Sequence, residues 1–137
     1  GSHLFALRVY FEDTDAGGVV YHANYLRFME RARSDMMRLA GIDQRGAMES
    51  GEGAYVVVEA GLRYKASARL DDDLLVISRI GKMRGALCAV HQRVMRGTET
   101  LVEADVSVAL VGADGRPKRQ PRAWIETFER YKRDGNI

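Results

Sequence analysis

Residues 13–41 read DTDAGGVVYHANYLRFMERARSDMMRLAG. From Tyr25 onward, apolar side chains recur at Tyr25, Met29, Ala32, Met36 and Leu39. Steps of three and four put them on one face of a helix, while Arg27, Glu30, Arg31, Arg33 and Asp35 fill much of the remainder. The pattern predicts a helix over 24–40, with Asn24 as N-cap and Gly41 as the stop. Two carboxylates, two glycines and a histidine precede it within ten positions. Gly17 and Gly18 mark a sharp turn between a strand over 4–12, which contains Val9 and Phe11, and the helix.

Downstream of the helix, 42–51 reads as a short helical turn and a loop. At residue 54 the period changes to two. Val56, Val58, Ala60, Leu62 and Tyr64 share one face, and Glu59, Arg63 and Lys65 share the other. Further strands are expected over 73–83, 86–96 and 99–111, separated by turns at Arg84-Gly85 and Gly97-Thr98. The tail from Pro121 holds Trp124, Ile125 and Phe128, which suit a short docked helix. Connections this short favour antiparallel pairing. The fold class is therefore α+β, in one domain over 4–137, with Gly1-Ser2-His3 set aside as an expected tag remnant.

A helix of this length spans about 25 Å. The longest strands span roughly 36–43 Å. One helix covers one face of such a sheet, and the second face of the strand at 54–66 still carries Tyr55 and Val57. Other copies of the chain are expected to cover the remainder, which makes the protein a homo-oligomer.

Composition excludes several classes. The net charge of +2 comes from basic residues scattered among acids, unlike the concentrated basic face of a nucleic-acid binder. No apolar run approaches the roughly 20 residues that span a bilayer. No leader segment is expected, and the single cysteine, Cys88, suits a reducing, cytoplasmic setting as a small buried hydrophobe. His91 reads as an ordinary strand histidine.

The helix entrance is where chemistry is expected. A helix N-terminus leaves backbone N–H groups without partners and carries the positive end of the helix dipole. Gly17 and Gly18 let a ligand approach the backbone. With Asp15 on one side and free N–H donors on the other, a carboxylate can attack a carbonyl or activate water while the donors take the developing charge. The same residue types also suit a plain polar turn, because Asp and Asn bond to nearby backbone. A metal site built from Asp13, Asp15 and His22 matches none of the usual ligand spacings. Ser34 and Ser67 have no partnered histidine, and the nucleophile-elbow motif is absent.

The run FEDTDAGGVVYHANYLRFMERARSDMMRLAGI, residues 11–42, closely resembles the signature of 4-hydroxybenzoyl-CoA thioesterase-like hotdog proteins. It is most similar to their YbgC-type, Tol-Pal-associated acyl-CoA thioesterase branch. The likeness continues through YVVVEAGLRYKASARLDDDLLVISRI (55–80) and LVEADVSVALVGADGRPKRQP (101–121). It implies a hotdog fold, a long antiparallel sheet wrapped around a central helix, assembled as a dimer or dimer of dimers. It implies hydrolysis of an acyl-CoA to CoA and a carboxylic acid, with no cofactor and no metal.

Residue by residue, the resemblance makes Asp15 catalytic. It places the backbone N–H of His22 against the thioester carbonyl, and Gly18, Tyr21 and Asn24 around the pocket. Gly17 stands where many relatives have a larger residue. Cations for the CoA phosphates are sought among Arg63, Lys65, Lys82 and Arg84. An acyl carrier protein is a further candidate partner. The rival readings are a non-catalytic acyl-CoA or acyl-carrier binder in an envelope-associated assembly, against which the retained Asp15 argues, and an enoyl-thioester hydratase, whose helix pattern is missing.

Overall fold

In the computed structural model, which describes residues 1–134, the strands are β1 (His3–Arg8), β2 (Ala54–Tyr64), β3 (Asp73–Arg84), β4 (Leu87–Arg96) and β5 (Glu99–Val111). The helices are α1 (Asn24–Leu39), α2 (Gln44–Ser50) and α3 (Arg122–Asp134). All five strands form one antiparallel sheet in the order β1-β3-β4-β5-β2. The long helix, the four later strands and the C-terminal helix fall where the sequence periodicity predicts them.

α1 lies against one face of the sheet. Its buried residues are Tyr25, Phe28, Met29, Ala32, Met36 and Met37. They meet an inward row that includes Val76 and Ile80 on β3, Val90 and Val94 on β4, and Val102 and Val106 on β5. Fully burying side chains such as Phe28 and Met29 contributes about 1.5–3 kcal/mol each. Leu39, expected on the apolar face, is 62% exposed in the last turn. Two polar side chains, Gln92 and Ser78, are fully buried in this core. Gln92 accepts from Arg33 Nη1 at 2.9 Å and donates to Ser78 Oγ at 2.9 Å and the Met29 carbonyl at 3.0 Å. Its amide is satisfied without water, as burial demands.

Three further expectations are revised. The first strand stops at Arg8, not residue 12. The Asp13 carboxylate takes the Tyr10 N–H at 2.9 Å, and residues Phe11–Asp13 form a 3-10 turn instead. A local side-chain acceptor of this kind competes with a strand ladder. The strand also includes His3, which the sequence reading sets aside; its ring is buried and its Nε2 lies 2.8 Å from Asp35 Oδ2.

The third revision concerns the faces of β2. Its register with β5 shifts between Val57 and Glu59. Val58 is the extra residue of a bulge, and one extra residue reverses which face the following side chains occupy. Tyr55 pairs with Leu110 and Val57 with Val108, while Ala60, Leu62 and Tyr64 pair with Val106, Ala104 and Val102. These five β2 residues therefore share the α1 side of the sheet, and Val56 does not continue that row.

β2 does not pair with β3. The segment 65–72 crosses the end of the sheet, so β2 lies at an edge with its outer side unpaired and Val56, Val57 and Val58 exposed. The crossing segment is pinned by Arg96, which reaches the Ser67 carbonyl at 3.1 Å and Asp72 at 2.8 Å. It supports the loop before α1 through Val20 N–H to the Ala68 carbonyl at 2.9 Å. Among the described residues, no helix is long and apolar enough to cross a membrane.

Candidate active site

Residues 13–21 fold back on themselves. The Thr14–Val20 bridge is flanked by Tyr21 N–H to the Asp13 carbonyl at 3.0 Å and Asp15 N–H to the Val19 carbonyl at 2.9 Å. Gly18 closes the turn, donating to the Asp15 carbonyl at 3.0 Å with φ at +79°, a backbone region that favours glycine.

The two aspartates part company here. Asp13 is buried and spends its carboxylate on the Tyr10 N–H. Asp15 is exposed, and its Oδ1 takes the Gly17 N–H at 2.8 Å. No described residue donates to the other oxygen, Oδ2. A Cβ at Gly17 would stand 3.2 Å from Asp15 Oδ1. Glycine at 17 thus lets the carboxylate lie against the backbone.

α1 begins without a side-chain cap. The N-cap is Ala23, not Asn24. Asn24 turns its side chain back, and its Nδ2 donates to the Asp13 carbonyl at 2.9 Å. Its own N–H bonds to the Tyr21 carbonyl at 2.8 Å. The N–H groups of His22 and Ala23 have no acceptor among the described residues. Asp15 stands opposite Val19, and three residues of chain separate Val19 from His22, at most about 10 Å.

An aromatic group lines this entrance. The Tyr21 and His22 rings are 4.6 Å apart, and Tyr64 packs edge-on to both His22 and Tyr25 at 6.1 and 5.9 Å. Tyr64 Oη donates to the His22 carbonyl at 3.3 Å. Tyr25 Oη accepts the Ala68 N–H at 3.0 Å, and burial pushes its hydroxyl pKa up. Tyr64 and Tyr25 were not singled out from sequence, because strand alternation marks Tyr64 only as a face residue and helix periodicity marks Tyr25 only as core.

The structure thus brings Asp15, Gly18, Tyr21, His22 and Asn24 to one end of the sheet. The expected cations lie elsewhere. Arg63 and Lys65 sit on the opposite face from Tyr64 and converge on Glu103 at 3.0 and 3.3 Å, where His91 Nε2 also lies at 3.1 Å. The bond to His91, then those to Lys65 and Arg63, hold the Glu103 carboxyl at about 2. Lys82 and Arg84 are exposed at the far end of β3, about 30–40 Å of strand from the loop.

A cavity of about 510 Å³ opens between α1, α2, α3 and the sheet, within the size range of small-molecule sites. Met36, Met37, Tyr55, Val57, Cys88 and Phe128 line it, with Glu30 and Arg33 on its polar side. Burial pushes the Cys88 thiol up to about 11. Burial also lowers the Arg33 guanidinium from its ordinary value. Glu30 lies six residues along α1 from its first residue, Asn24, about 9 Å at helical rise.

The sequence profile of the thioesterase superfamily matches residues 17–103. The acyl-CoA thioesterase YbgC of Haemophilus influenzae is 46% identical over 107 residues, 78% of this chain and 79% of that protein. The acyl-CoA thioester hydrolase YbgC of Escherichia coli O6:H1 is 42% identical over 125 residues, 90% of this chain and 92% of that protein. Among solved structures, a probable thioesterase from Bartonella henselae superposes with a TM-score of 0.83 at 38% identity, covering 88% of this chain and 100% of that one.

Proposed function

The chain belongs to the thioesterase superfamily, with the hotdog fold, and on that premise we propose that it hydrolyses acyl-CoA thioesters between Asp15 and the open start of α1. The pair of unpartnered N–H groups at His22 and Ala23, beside a loop that offers a free carboxylate oxygen, carries this reading. The thioester carbonyl oxygen sits against the His22 N–H, where the helix dipole favours negative charge. Asp15 acts from the other side, as general base toward water or as nucleophile.

In the base route, Asp15 takes a proton from water as the water oxygen bonds to the carbonyl carbon. The C–S bond then breaks, and the thiolate leaves and is protonated. In the nucleophile route, Asp15 displaces the thiolate to form a mixed anhydride, which water cleaves. Sulfur donates weakly into the carbonyl and CoA thiolate is a good leaving group. A carboxylate and amide donors therefore suffice, without a serine–histidine relay, a metal or a redox cofactor.

The acyl chain runs along α1 toward the cavity bounded by Met36, Met37 and Val57. The adaptable methionines at Met36 and Met37 favour a flexible aliphatic chain. The unpaired edge of β2 pairs with the same edge of a second copy, which satisfies its backbone N–H and C=O groups and sets Val56 and Val58 beside the neighbouring strand. Antiparallel pairing places one copy's far sheet end beside the other's Asp15 loop. The CoA phosphates then meet the partner subunit's Lys82 and Arg84, while Arg63 and Lys65 remain with Glu103.

A thiol-release assay with short, medium and aromatic acyl-CoAs, run beside Asp15→Asn, tests the reading. Release by the wild type and none by the variant supports it. Tight acyl-CoA binding without release by the wild type would make the protein a binder instead.

A further inference from the structure

We propose that Tyr64 is a positioning residue for thioester hydrolysis: its hydroxyl holds the His22 carbonyl and so aims the Ala23 N–H at the developing oxyanion. The inference rests on the activity proposed above and adds a second amide donor to it.

The peptide group is planar and trans, so its C=O and N–H point in opposite directions. Whatever fixes one fixes the other. The Tyr21 carbonyl is held by the Asn24 N–H at 2.8 Å, which sets the direction of the His22 N–H. The His22 carbonyl is held by Tyr64 Oη at 3.3 Å, which sets the direction of the Ala23 N–H. Two consecutive amides are thereby locked through their carbonyls, and their N–H groups have no acceptor among the described residues. A donor on the carbonyl also polarises the amide and strengthens its N–H.

The Tyr21 lock is local. The His22 lock comes from a strand 42 residues away. It exists because the bulge at Val58 turns Tyr64 toward α1, where its ring rests edge-on against Tyr25 and His22. The ring contacts make the hydroxyl separable from the packing, since phenylalanine keeps the ring.

Tyr64→Phe is therefore the test, assayed on the best acyl-CoA of the panel. The kcat should fall about fivefold to tenfold, short of the 10²–10³ lost when an oxyanion donor itself is removed. KM should stay within twofold, as should affinity for a thioether analogue of the substrate that lacks the carbonyl. The amide nitrogen resonance of Ala23 should move, because the carbonyl of that peptide loses its donor. A kcat within twofold of wild type, a rise in KM at constant kcat, or an unmoved Ala23 resonance would each overturn the proposal. If the wild type hydrolyses no thioester, the activity fails first; if it does and Tyr64→Phe matches it, only the role of Tyr64 fails.

Discussion

The side-chain amide of Asn24 donates to the backbone carbonyl of Asp13 at 2.9 Å, across 11 residues of chain. The same carbonyl takes the Tyr21 N–H at 3.0 Å. One oxygen thus ties the aspartate loop to the first turn of α1, and Asn24 is spent on this tie instead of on capping. The helix start stays open as a result. Asn24→Ala should lower stability by about 1 kcal/mol, the net worth of a typical hydrogen bond. It should also reduce activity more than stability, since the loop and helix would drift apart. Thermal unfolding and initial rates measured on the same preparation check both; unchanged kcat would mean the tie does not set the site.

Asp15→Asn should lower kcat by about 10²–10⁴, the range for a lost general base. CoA affinity by calorimetry should be unchanged, because the proposed mechanism sets Asp15 at the carbonyl and not at the nucleotide. His22→Ala should lower kcat far less, since the proposed mechanism uses only its backbone N–H. Should the two variants be equally damaged, the imidazole would have to take part in the chemistry.

The buried network around Gln92 predicts a large stability effect away from the site. Gln92→Leu leaves the Arg33 guanidinium, the Ser78 hydroxyl and the Met29 carbonyl without that partner. Arg33 is half-buried and the Met29 carbonyl lies inside α1, so the cost is chiefly that of the buried Ser78 hydroxyl left without its partner, about 1–3 kcal/mol by denaturant unfolding. A loss below 1 kcal/mol would show that water or repacking replaces the amide.

Glu103 predicts a pH dependence. Its carboxyl is held at about 2, below its ordinary 4.5, by His91, Lys65 and Arg63 in that order. A depressed carboxylate stabilises the folded state above its unfolded pKa and loses that contribution as pH falls toward the folded value. The Tm difference between wild type and Glu103→Gln should be full above about pH 5 and should shrink steadily between pH 4.5 and 2. A difference constant over that window would remove Glu103 as its source.

The open edge of β2 predicts an assembly defect. Val56→Glu combined with Val58→Glu places charge on an edge that is otherwise exposed and apolar, a device that blocks edge pairing. Light scattering should show monomers, and acyl-CoA turnover should be lost with them. An unaltered oligomer would mean that copies associate through another surface.

The long helix, the later strands and the glycine turns were legible because they rest on local chemistry. The three-four spacing from Tyr25 to Met36 and the alternation through Val102, Ala104 and Val106 each repeat within a few residues. The Asp15 loop was legible for the same reason, since its two glycines and aspartates bond to their own neighbours. The N-cap was misread because an asparagine at a helix start has two uses, and a carbonyl 11 residues upstream decided between them.

What the sequence determined by itself is the set of elements and the motif that brings a carboxylate to a helix entrance. The tertiary structure decided which face each residue serves. The bulge at Val58 reverses the alternation of β2, so Tyr55 and Val57 join Ala60, Leu62 and Tyr64 beside the helix. Pairing with β5 then gives Arg63 and Lys65 to Glu103, and brings the Tyr64 hydroxyl to the His22 carbonyl. The physical reason is that strand side chains alternate with a period of two, so a single inserted residue exchanges the faces, and only the register against a distant strand reveals it.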